Sequence, residues 1–370
     1  MSRLSNITIL MTADTVGGVW TYASALASAL SELQAQVYLM TMGPRARADQ
    51  REMLPPSVQV IESGLALEWQ DPAGEDLERA REYLGAVEQR VNPDVIHLNS
   101  YREATFPWHA PVVVVAHSCV NSWAMACTDG AFLSEPKWRR YTRLVAEGLD
   151  HADTWVAPTF AFGDVVGELY QPRSPRIVIR NGAPCTGGSP PADRRLILAA
   201  GRMWDEAKNL SLLAAAASDI DWPVFVAGPT AKSAGGSGIK LLGELSHSRL
   251  AAHMRRAAIF VSPARYEPFG LSVLEAASAG CALVLSDIRS FRELWNGAAL
   301  FVAPDDADGL RAALSDLCCD KAGLAWLQRA ALARAKHYSL RQMSGAYARL
   351  YRALCTRRPG ATSRAVEVCA

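Results

Sequence analysis

Short apolar runs alternate with amphipathic stretches along most of the chain. In the first half, seven of these runs are predicted to be buried strands: Ile7–Met11, Gln36–Met42, Val58–Ile61, Val95–Leu98, Val112–Ala116, Trp155–Ala157 and Arg176–Ile179. Stretches of helical periodicity, the first being Trp20–Leu30, separate most of them. Strands that alternate with helices predict a largely parallel sheet with helices on both faces.

The same alternation begins again after a Pro- and Gly-rich stretch, Gly182 to Pro191, whose composition suits a linker. Six more strands are predicted at Arg195–Ala200, Val224–Ala227, Ile239–Leu242, Ile259–Ser262, Ala282–Ser286 and Ala299–Val302. Helices are predicted between them, notably Asn209–Ala217, Ser246–Ala257, Leu271–Ala279 and Ala307–Asp316. After residue 321 the pattern is helical, and we expect one of these last helices to return to the first domain.

Length and pattern together predict an α/β protein of two doubly wound, Rossmann-like domains that face each other across a cleft. A chain of 370 residues exceeds what one hydrophobic core usually supports. We place a first domain at residues 1–183, a second domain with the terminal helices at 184–355, and a disordered tail at 356–370.

The net charge of +1 conceals an asymmetry between the halves. Residues 1–183 carry 15 Lys and Arg against 21 Asp and Glu, a net charge of −6, whereas residues 184–370 carry 23 against 16, a net charge of +7. The second half therefore suits an anionic ligand. Its basic residues are spread over several predicted helices without surface aromatics between them, which favours a small phosphate-bearing ligand over nucleic acid.

Other classes are disfavoured by composition. The eight cysteines form no Cys-x-x-Cys pair, so neither a zinc site nor a disulfide framework is expected. The sequence contains no apolar run of about 20 residues that would span a membrane, and its first residues lack a signal-peptide pattern. We therefore predict a cytoplasmic protein.

The segment from Ser262 to Gly280 carries the most specific chemistry. It joins a predicted strand to a predicted helix through a loop, where Gly270 lets the backbone approach a ligand. The first amides of the helix, near Leu271 and Ser272, have no intrahelical partners and so offer a site for phosphate oxygens. Glu267 and Glu275, eight residues apart, can both reach one ligand and accept hydrogen bonds from its hydroxyl groups.

With Pro268-Phe269-Gly270-Leu271 between its two glutamates, this segment closely resembles the Glu-x7-Glu motif of the family 4 (group 1) retaining glycosyltransferases, which have the GT-B fold. The resemblance extends over nearly the whole chain, and it implies that residues 1–183 form an acceptor-side domain and residues 184–355 a nucleotide-sugar-binding domain. It implies that Glu267 contacts hydroxyls of a donor sugar and that Glu275 binds the ribose of a nucleotide.

A second feature of that family is present at Gly201-Arg-Met-Trp-Asp-Glu-Ala-Lys-Asn209, where the resemblance places Arg202 and Lys208 on the donor diphosphate. Two positive charges would offset the charge that develops on the leaving diphosphate. Because they can replace a metal, and because no Asp-x-Asp cluster follows a strand, we predict no metal and no cofactor besides the nucleotide-sugar co-substrate.

Three further candidates follow strands of the first half. Gly17 and Gly18 open the first helix, where a loop without side chains can approach phosphates or acceptor, or can simply form a tight turn. His117 follows Val112–Ala116 and corresponds to a histidine that the family commonly has near the donor sugar; otherwise a histidine at such a position is usually structural. Asn181, with Gly182, resembles the Asn-Gly pair that closes the family's first domain, or is a turn.

One departure from the family pattern concerns the selection of donor or acceptor, and one further surface concerns acceptor or membrane contact. Where the family has a glycine-rich turn after Ser286-Asp287, this chain has Ile288 to Glu293. The run Lys137-Trp-Arg-Arg-Tyr141, with Arg143, is either an acceptor- or membrane-contacting surface or a helix whose aromatic residues pack inward.

The sequence thus predicts a metal-independent retaining glycosyltransferase that moves a sugar from a nucleotide diphosphate, with UDP favoured, to a saccharide, lipid-linked or small-molecule acceptor. The alternatives are a GT-B sugar-nucleotide epimerase and a non-catalytic sugar-nucleotide sensor. A dinucleotide-dependent oxidoreductase is disfavoured because the first domain lacks Gly-x-Gly-x-x-Gly.

Overall fold

The computed structural model describes residues 4–184, 194–230 and 238–356. Within these ranges the strands are β1 Thr8–Asp14, β2 Gln36–Met42, β3 Val58–Glu62, β4 Val95–Leu98, β5 Val112–Val115, β6 Thr154–Ala157, β7 Arg176–Val178, β8 Ile197–Ala200, β9 Val224–Ala227, β10 Ile239–Gly243, β11 Ile259–Ser262, β12 Ala282–Ser286 and β13 Leu300–Val302.

The α-helices in the described residues are α1 Gly18–Glu32, α2 Ala48–Arg51, α3 Leu77–Val91, α4 Val120–Cys127, α5 Pro136–His151, α6 Phe160–Tyr170, α7 Leu210–Ala216, α8 His247–Arg256, α9 Leu271–Ser278, α10 Arg289–Trp295, α11 Ala307–Cys319, α12 Lys321–Ala335 and α13 Leu340–Thr356. Short 3-10 turns connect some of them; those that matter for the site are Arg102–Thr105 and Glu206–Lys208.

The first sheet contains seven parallel strands in the order β3-β2-β1-β4-β5-β6-β7. All four residues of β5, a run of valines, are buried, because helices cover both faces of the sheet. One face packs against α1 through residues such as Leu26 and Leu30, and the other packs against α3, α5 and α6. The order is that of a doubly wound fold.

The second sheet has six parallel strands in the order β10-β9-β8-β11-β12-β13. One face packs against α9, α10 and α12, and the other against α7 and α11. Both sheets are therefore doubly wound, as the alternation of apolar runs predicted. Each predicted strand is present, and its bounds match the prediction or differ from it by at most three residues.

The largest difference is at β1, which continues three residues beyond its predicted end at Met11. Thr12, Ala13 and Asp14 pair with Met40, Thr41 and Met42 of β2, so the strand ends at Asp14. The division into domains at residues 183 and 184 stays a prediction. The predicted linker lies largely outside the described residues, as does the predicted tail beyond Thr356.

The last helix returns to the first half, as expected from the helical end of the sequence. Met343, Tyr347 and Tyr351 of α13 are buried in the core between the first sheet and α1. To reach this position the chain passes Gly182 at very close range. A Cβ on Gly182 would lie 2.5 Å from the carbonyl oxygen of Ser339, so a larger residue does not fit without a backbone shift.

Candidate active site

The candidate residues gather where the strand order of each sheet reverses. In the first sheet, β1 lies between β2 and β4, and in the second, β8 lies between β9 and β11. The carboxyl ends of strands at such a point form the usual ligand-binding crevice of doubly wound folds. Gly17 and Gly18 follow β1, Arg202 follows β8, and Glu267 follows β11.

Lys208 and Glu267 form an ion pair across this crevice edge of the second sheet. Lys208 ends the 3-10 turn after β8, and its Nζ donates to Oε2 of Glu267 at 2.5 Å. The two side chains are 19% and 14% exposed, so the pair is partly open to solvent. A lysine ammonium has three donors, which leaves Lys208 able to bind an anion while it holds Glu267.

Arg202 extends from the second half to the first. Its guanidinium lies 3.3 Å from Oδ2 of Asp205 and 5.7 Å from the centre of the Trp204 ring. The Arg202 side chain also lies against Gly17, where an added Cβ would meet Nη1 at 2.8 Å. Gly17 has a φ of 90°, which an L-residue with a side chain rarely adopts.

Gly18, by contrast, has open space around it. A Cβ added to Gly18 would meet nothing within 4 Å, and the residue is exposed at the start of α1. The glycine pair therefore does two things: Gly17 allows a bend against Arg202, and Gly18 leaves room above the helix start. The ligand role of the pair stays a prediction.

The start of α9 presents its free amides at the boundary between the two halves. Gly270 precedes the helix without any side-chain cap, so the first amides, including those of Leu271 and Ser272, have no intrahelical acceptor. The Leu271 side chain packs against core clusters of both sheets. An anion at this helix start would therefore lie in the crevice.

Glu275 lies one turn further along α9. Burial raises the pKa of its carboxyl to about 7, and His247 of α8 has its Nε2 3.8 Å from Oε1. A carboxyl whose charged form is disfavoured in the free protein gains most from a ligand that donates hydrogen bonds to it. A ribose diol is such a ligand.

His117 is held by Asn99, a residue that our sequence reasoning missed. Its Nε2 lies 2.7 Å from Oδ1 of Asn99, and its ring packs edge-on against Tyr22 at 4.5 Å. The Asn99 amide nitrogen donates to the carbonyl of Thr12, which leaves Oδ1 to accept from His117. Burial lowers the pKa of His117 to about 3, so its imidazole is neutral at pH 7.

Asn99 had a signal in the sequence, because it directly follows β4, and His117 lies at the matching end of the neighbouring strand, two residues after β5. Asp14 is a second residue that was missed. It ends β1, and burial raises the pKa of its carboxyl. The hydrogen bond from the Val16 amide and the charge of Arg202 oppose this increase in part, and the resulting pKa is about 6. The charge of Arg202 thus acts on a carboxyl of the first half.

The remaining sequence candidates are less central. Asn181 is buried beside Gly182 at the chain crossing, and its role stays a prediction. In the run from Lys137 to Tyr141, Tyr141 is buried and Trp138 packs against the core that α3, α5 and α6 form with the first sheet. Arg139, Arg140 and Arg143 are exposed. Its aromatic residues therefore pack inward.

Metal independence and location stay predictions. Among the described residues, no group of three or more His, Cys, Asp or Glu side chains is placed to hold a metal ion. In the same ranges, none of the helices combines the length and apolar character that crossing a bilayer requires.

Two family descriptions match the chain. "Glycosyltransferase Family 4" matches residues 16–186, and "Glycosyl transferases group 1" matches residues 194–320. The chain belongs to the family 4 (group 1) glycosyltransferases. The family predicted from Glu267, Glu275 and the residues around them is therefore confirmed.

Individual relatives of this glycosyltransferase match over shorter spans. A glycogen synthase of Mycobacterium tuberculosis is 42% identical over 97 residues, which are 26% of this chain and 23% of that protein. A GDP-mannose:cellobiosyl-diphosphopolyprenol alpha-mannosyltransferase of Xanthomonas campestris is 31% identical over 238 residues, 57% of this chain and 60% of the relative. The chain thus spans between a quarter and three fifths of these relatives.

The fold is matched over nearly the entire glycosyltransferase. The structure of a sucrose-phosphate synthase from Thermosynechococcus elongatus superposes with a TM-score of 0.81 at 18% identity, covering 95% of this chain and 100% of that one. This likeness, with two parallel sheets covered by helices, confirms the predicted GT-B architecture.

Proposed function

We propose that this protein is a hexosyltransferase that moves a sugar from a nucleoside diphosphate to an acceptor hydroxyl, with retention of anomeric configuration and without a metal. The observation that carries the proposal is the Lys208–Glu267 ion pair beside Arg202 at the crevice edge of the second sheet. One carboxylate and two cations there match a ligand that combines sugar hydroxyls with a diphosphate.

The donor would bind across the second half. Its diphosphate would lie among Arg202, Lys208 and the free amides of Leu271 and Ser272, where fixed positive charge is available without reorganisation. Glu267 would accept hydrogen bonds from the sugar hydroxyls and Glu275 from the ribose. Three donors on Lys208 allow it to keep Glu267 in place while it binds a phosphate oxygen.

The acceptor hydroxyl would enter from the first half and attack on the face that the diphosphate leaves. A departing phosphate oxygen can take the hydroxyl proton, so no protein base is needed. His117 fits this scheme as a positioning group, because its pKa of about 3 keeps the imidazole neutral. A neutral ring held through Nε2 by Asn99 is fixed in one tautomer.

The first experiment is isothermal titration of the purified protein with UDP, GDP and ADP, repeated on Glu275→Ala. We expect one nucleotide to bind, and to bind about tenfold or more weakly to the variant, because a hydrogen-bonded carboxylate is lost. The sequence favours UDP, whereas the Xanthomonas relative is named for GDP-mannose, so the titration decides between the two bases. Folded protein that binds none of the three would argue against the donor site.

The metal-free mechanism has its own test. The assay uses sugar nucleotides that carry the base identified by titration, together with a panel of saccharide and polyprenyl-diphosphate-linked acceptors. Adding EDTA should leave product formation unchanged. Activity that EDTA abolishes and magnesium restores would contradict the assignment of charge neutralisation to Arg202 and Lys208. Binding of the sugar nucleotide with no chemical change to it would favour the sensor, and an inverted configuration in the nucleotide-bound sugar with no glycosylated product would favour the epimerase.

A further inference from the structure

A short helix of the first half contacts both loops that carry the candidate catalytic residues of the second half. The helix is α4, which begins three residues after His117. Its consecutive residues Ser122 and Trp123 each make a hydrogen bond across the crevice. One bond goes to the loop after β11 and the other to the loop after β8.

Trp123 bonds to the residue that organises the loop after β8. Its indole N–H donates to Oδ1 of Asp205 at 2.9 Å. The same carboxylate accepts from the backbone N–H of Ala207 at 3.0 Å and lies 3.3 Å from the Arg202 guanidinium. Asp205 thus fixes both Arg202 and the turn that ends at Lys208, and it is only 8% exposed.

Ser122 bonds to the residue next to Glu267. Its hydroxyl lies 2.8 Å from the hydroxyl of Tyr266, and the Tyr266 ring packs on Phe162 within the core of the first half. The loop is held again one residue after Glu267, where Thr159 donates to the carbonyl of Pro268 at 3.0 Å. Glu267 is therefore bracketed by contacts with the first half.

We infer that α4 sets the geometry of the donor site from the opposite half, with Ser122 and Trp123 as positioning residues for Lys208, Arg202 and Glu267. The inference rests on the proposed function for the role of these three residues. It goes beyond that function because it makes the spacing of the Lys208–Glu267 pair depend on a helix that carries none of the candidate donor-binding residues.

The test compares Trp123→Phe with Trp138→Phe. Both indoles pack on Phe132, at 6.4 and 5.4 Å between ring centres, but the Trp138 ring otherwise packs on Tyr141 of its own half. Trp123→Phe keeps an aromatic ring and removes the donor to Asp205. We expect kcat to fall about tenfold or more, as for other hydrogen bonds to charged groups, with KM for the donor changed less than kcat. Trp138→Phe should keep the wild-type kcat.

Hydrogen exchange of the backbone amides supplies a readout that does not depend on activity. Trp123→Phe should speed exchange in residues 202–209, and Trp138→Phe should not. If the wild-type protein makes no product, the proposed function fails and this exchange comparison still decides the inference. Unchanged exchange in Trp123→Phe, or an equal effect of both substitutions, would overturn it.

The second contact is tested by a double-mutant cycle of Ser122→Ala and Tyr266→Phe. The two substitutions remove the two ends of one hydrogen bond, so the double variant should lose no more kcat than the worse single variant. Additive losses would show that the hydroxyl groups act separately, and the contact would then have no positioning role.

Discussion

At the scale of single residues, the candidate site depends on charges that neighbouring groups hold in place. Lys208 pairs with Glu267, and Arg202 lies between Asp205 and the Trp204 ring. Each cation is thus fixed before any ligand arrives, which lowers the cost of ordering it in the complex. The arrangement also means that removing one charge disturbs its partner.

Replacing Lys208 with Ala should reduce kcat by about a hundredfold or more, because one fixed charge opposite the leaving diphosphate is lost. Unfolding free energy should fall by less than about 2 kcal/mol, since the partly exposed Glu267 can regain water. Steady-state kinetics and urea unfolding measure the two effects. Lys240→Ala, at an exposed lysine of the same half on β10, is the control: kcat should not change, and the unfolding free energy should fall by no more than about 1 kcal/mol through the lost contact with the Phe225 ring. An unfolded Lys208→Ala protein would show a structural role instead.

At the scale of elements, the segment before α3 is tied to the 3-10 turn Arg102–Thr105 by a buried carboxyl. Oε1 of Glu68 accepts from the backbone N–H groups of Tyr101 and Arg102 at 2.8 and 2.6 Å. Arg102 is itself buried and bonds to Glu103 and Asp71. Burial, and then the charge of Glu103, raise the pKa of Glu68 to about 8, so it is protonated at pH 7.

This raised pKa predicts a loss of stability as pH rises. Between the unfolded pKa of about 4.5 and the folded pKa of about 8, the folded chain binds the proton and the unfolded chain does not. Glutamine does not ionise, so Glu68→Gln removes this pH-dependent loss of stability. The difference in unfolding free energy between the variant and the wild type should therefore grow in favour of the variant by up to about 1.4 kcal/mol per pH unit from pH 6 to 8. Urea unfolding at several pH values measures it. Glu78→Gln, on the exposed side of α3, should run parallel to the wild type, and a parallel Glu68→Gln curve would contradict the prediction.

How much of the site the sequence predicts depends on how far apart along the chain the residues in contact lie. Each strand could be recognised because its apolar run lies within one short segment of the sequence. Lys208 and Glu267 could be recognised because the residues around them match motifs of the family. Asp205 and Trp123 were missed because their positioning role depends on the hydrogen bond between them, and they are 82 residues apart in the sequence. Such a pairing leaves no periodicity or spacing in a single sequence.

At the scale of the whole molecule, two chain segments run side by side. One, at Ala183, leads from the first half to the second, and the other, from Tyr338 to Leu340, leads back to the first half. Ala183 donates to the carbonyl of Tyr338 and accepts from Leu340, both at 3.1 Å. The return places α13 on α1 and against β4, whose His97 has its Nδ1 2.6 Å from the hydroxyl of Tyr351. The core between the first sheet and α1 is therefore completed by the last described residues of the chain, and its stability depends on this crossing.

Gly182 is the residue that permits the two segments to lie so close. An added Cβ would meet three backbone atoms of Ser339 and Leu340 at 2.5 to 2.8 Å, and backbone cannot move aside as a side chain can. Gly182→Ala should therefore cost about 1–3 kcal/mol of unfolding free energy, in the range of other overpacked sites.

Gly85→Ala is the matched control, since it lies inside α3 with nothing within 4 Å of an added Cβ. Alanine there should stabilise by about 0.5–1 kcal/mol through its better helix propensity. Urea midpoints of both variants compare the same chemical change with and without a backbone neighbour. If Gly182→Ala matched Gly85→Ala, the crossing would tolerate a methyl group, and the lack of a side chain at Gly182 would not be what permits the two segments to lie so close.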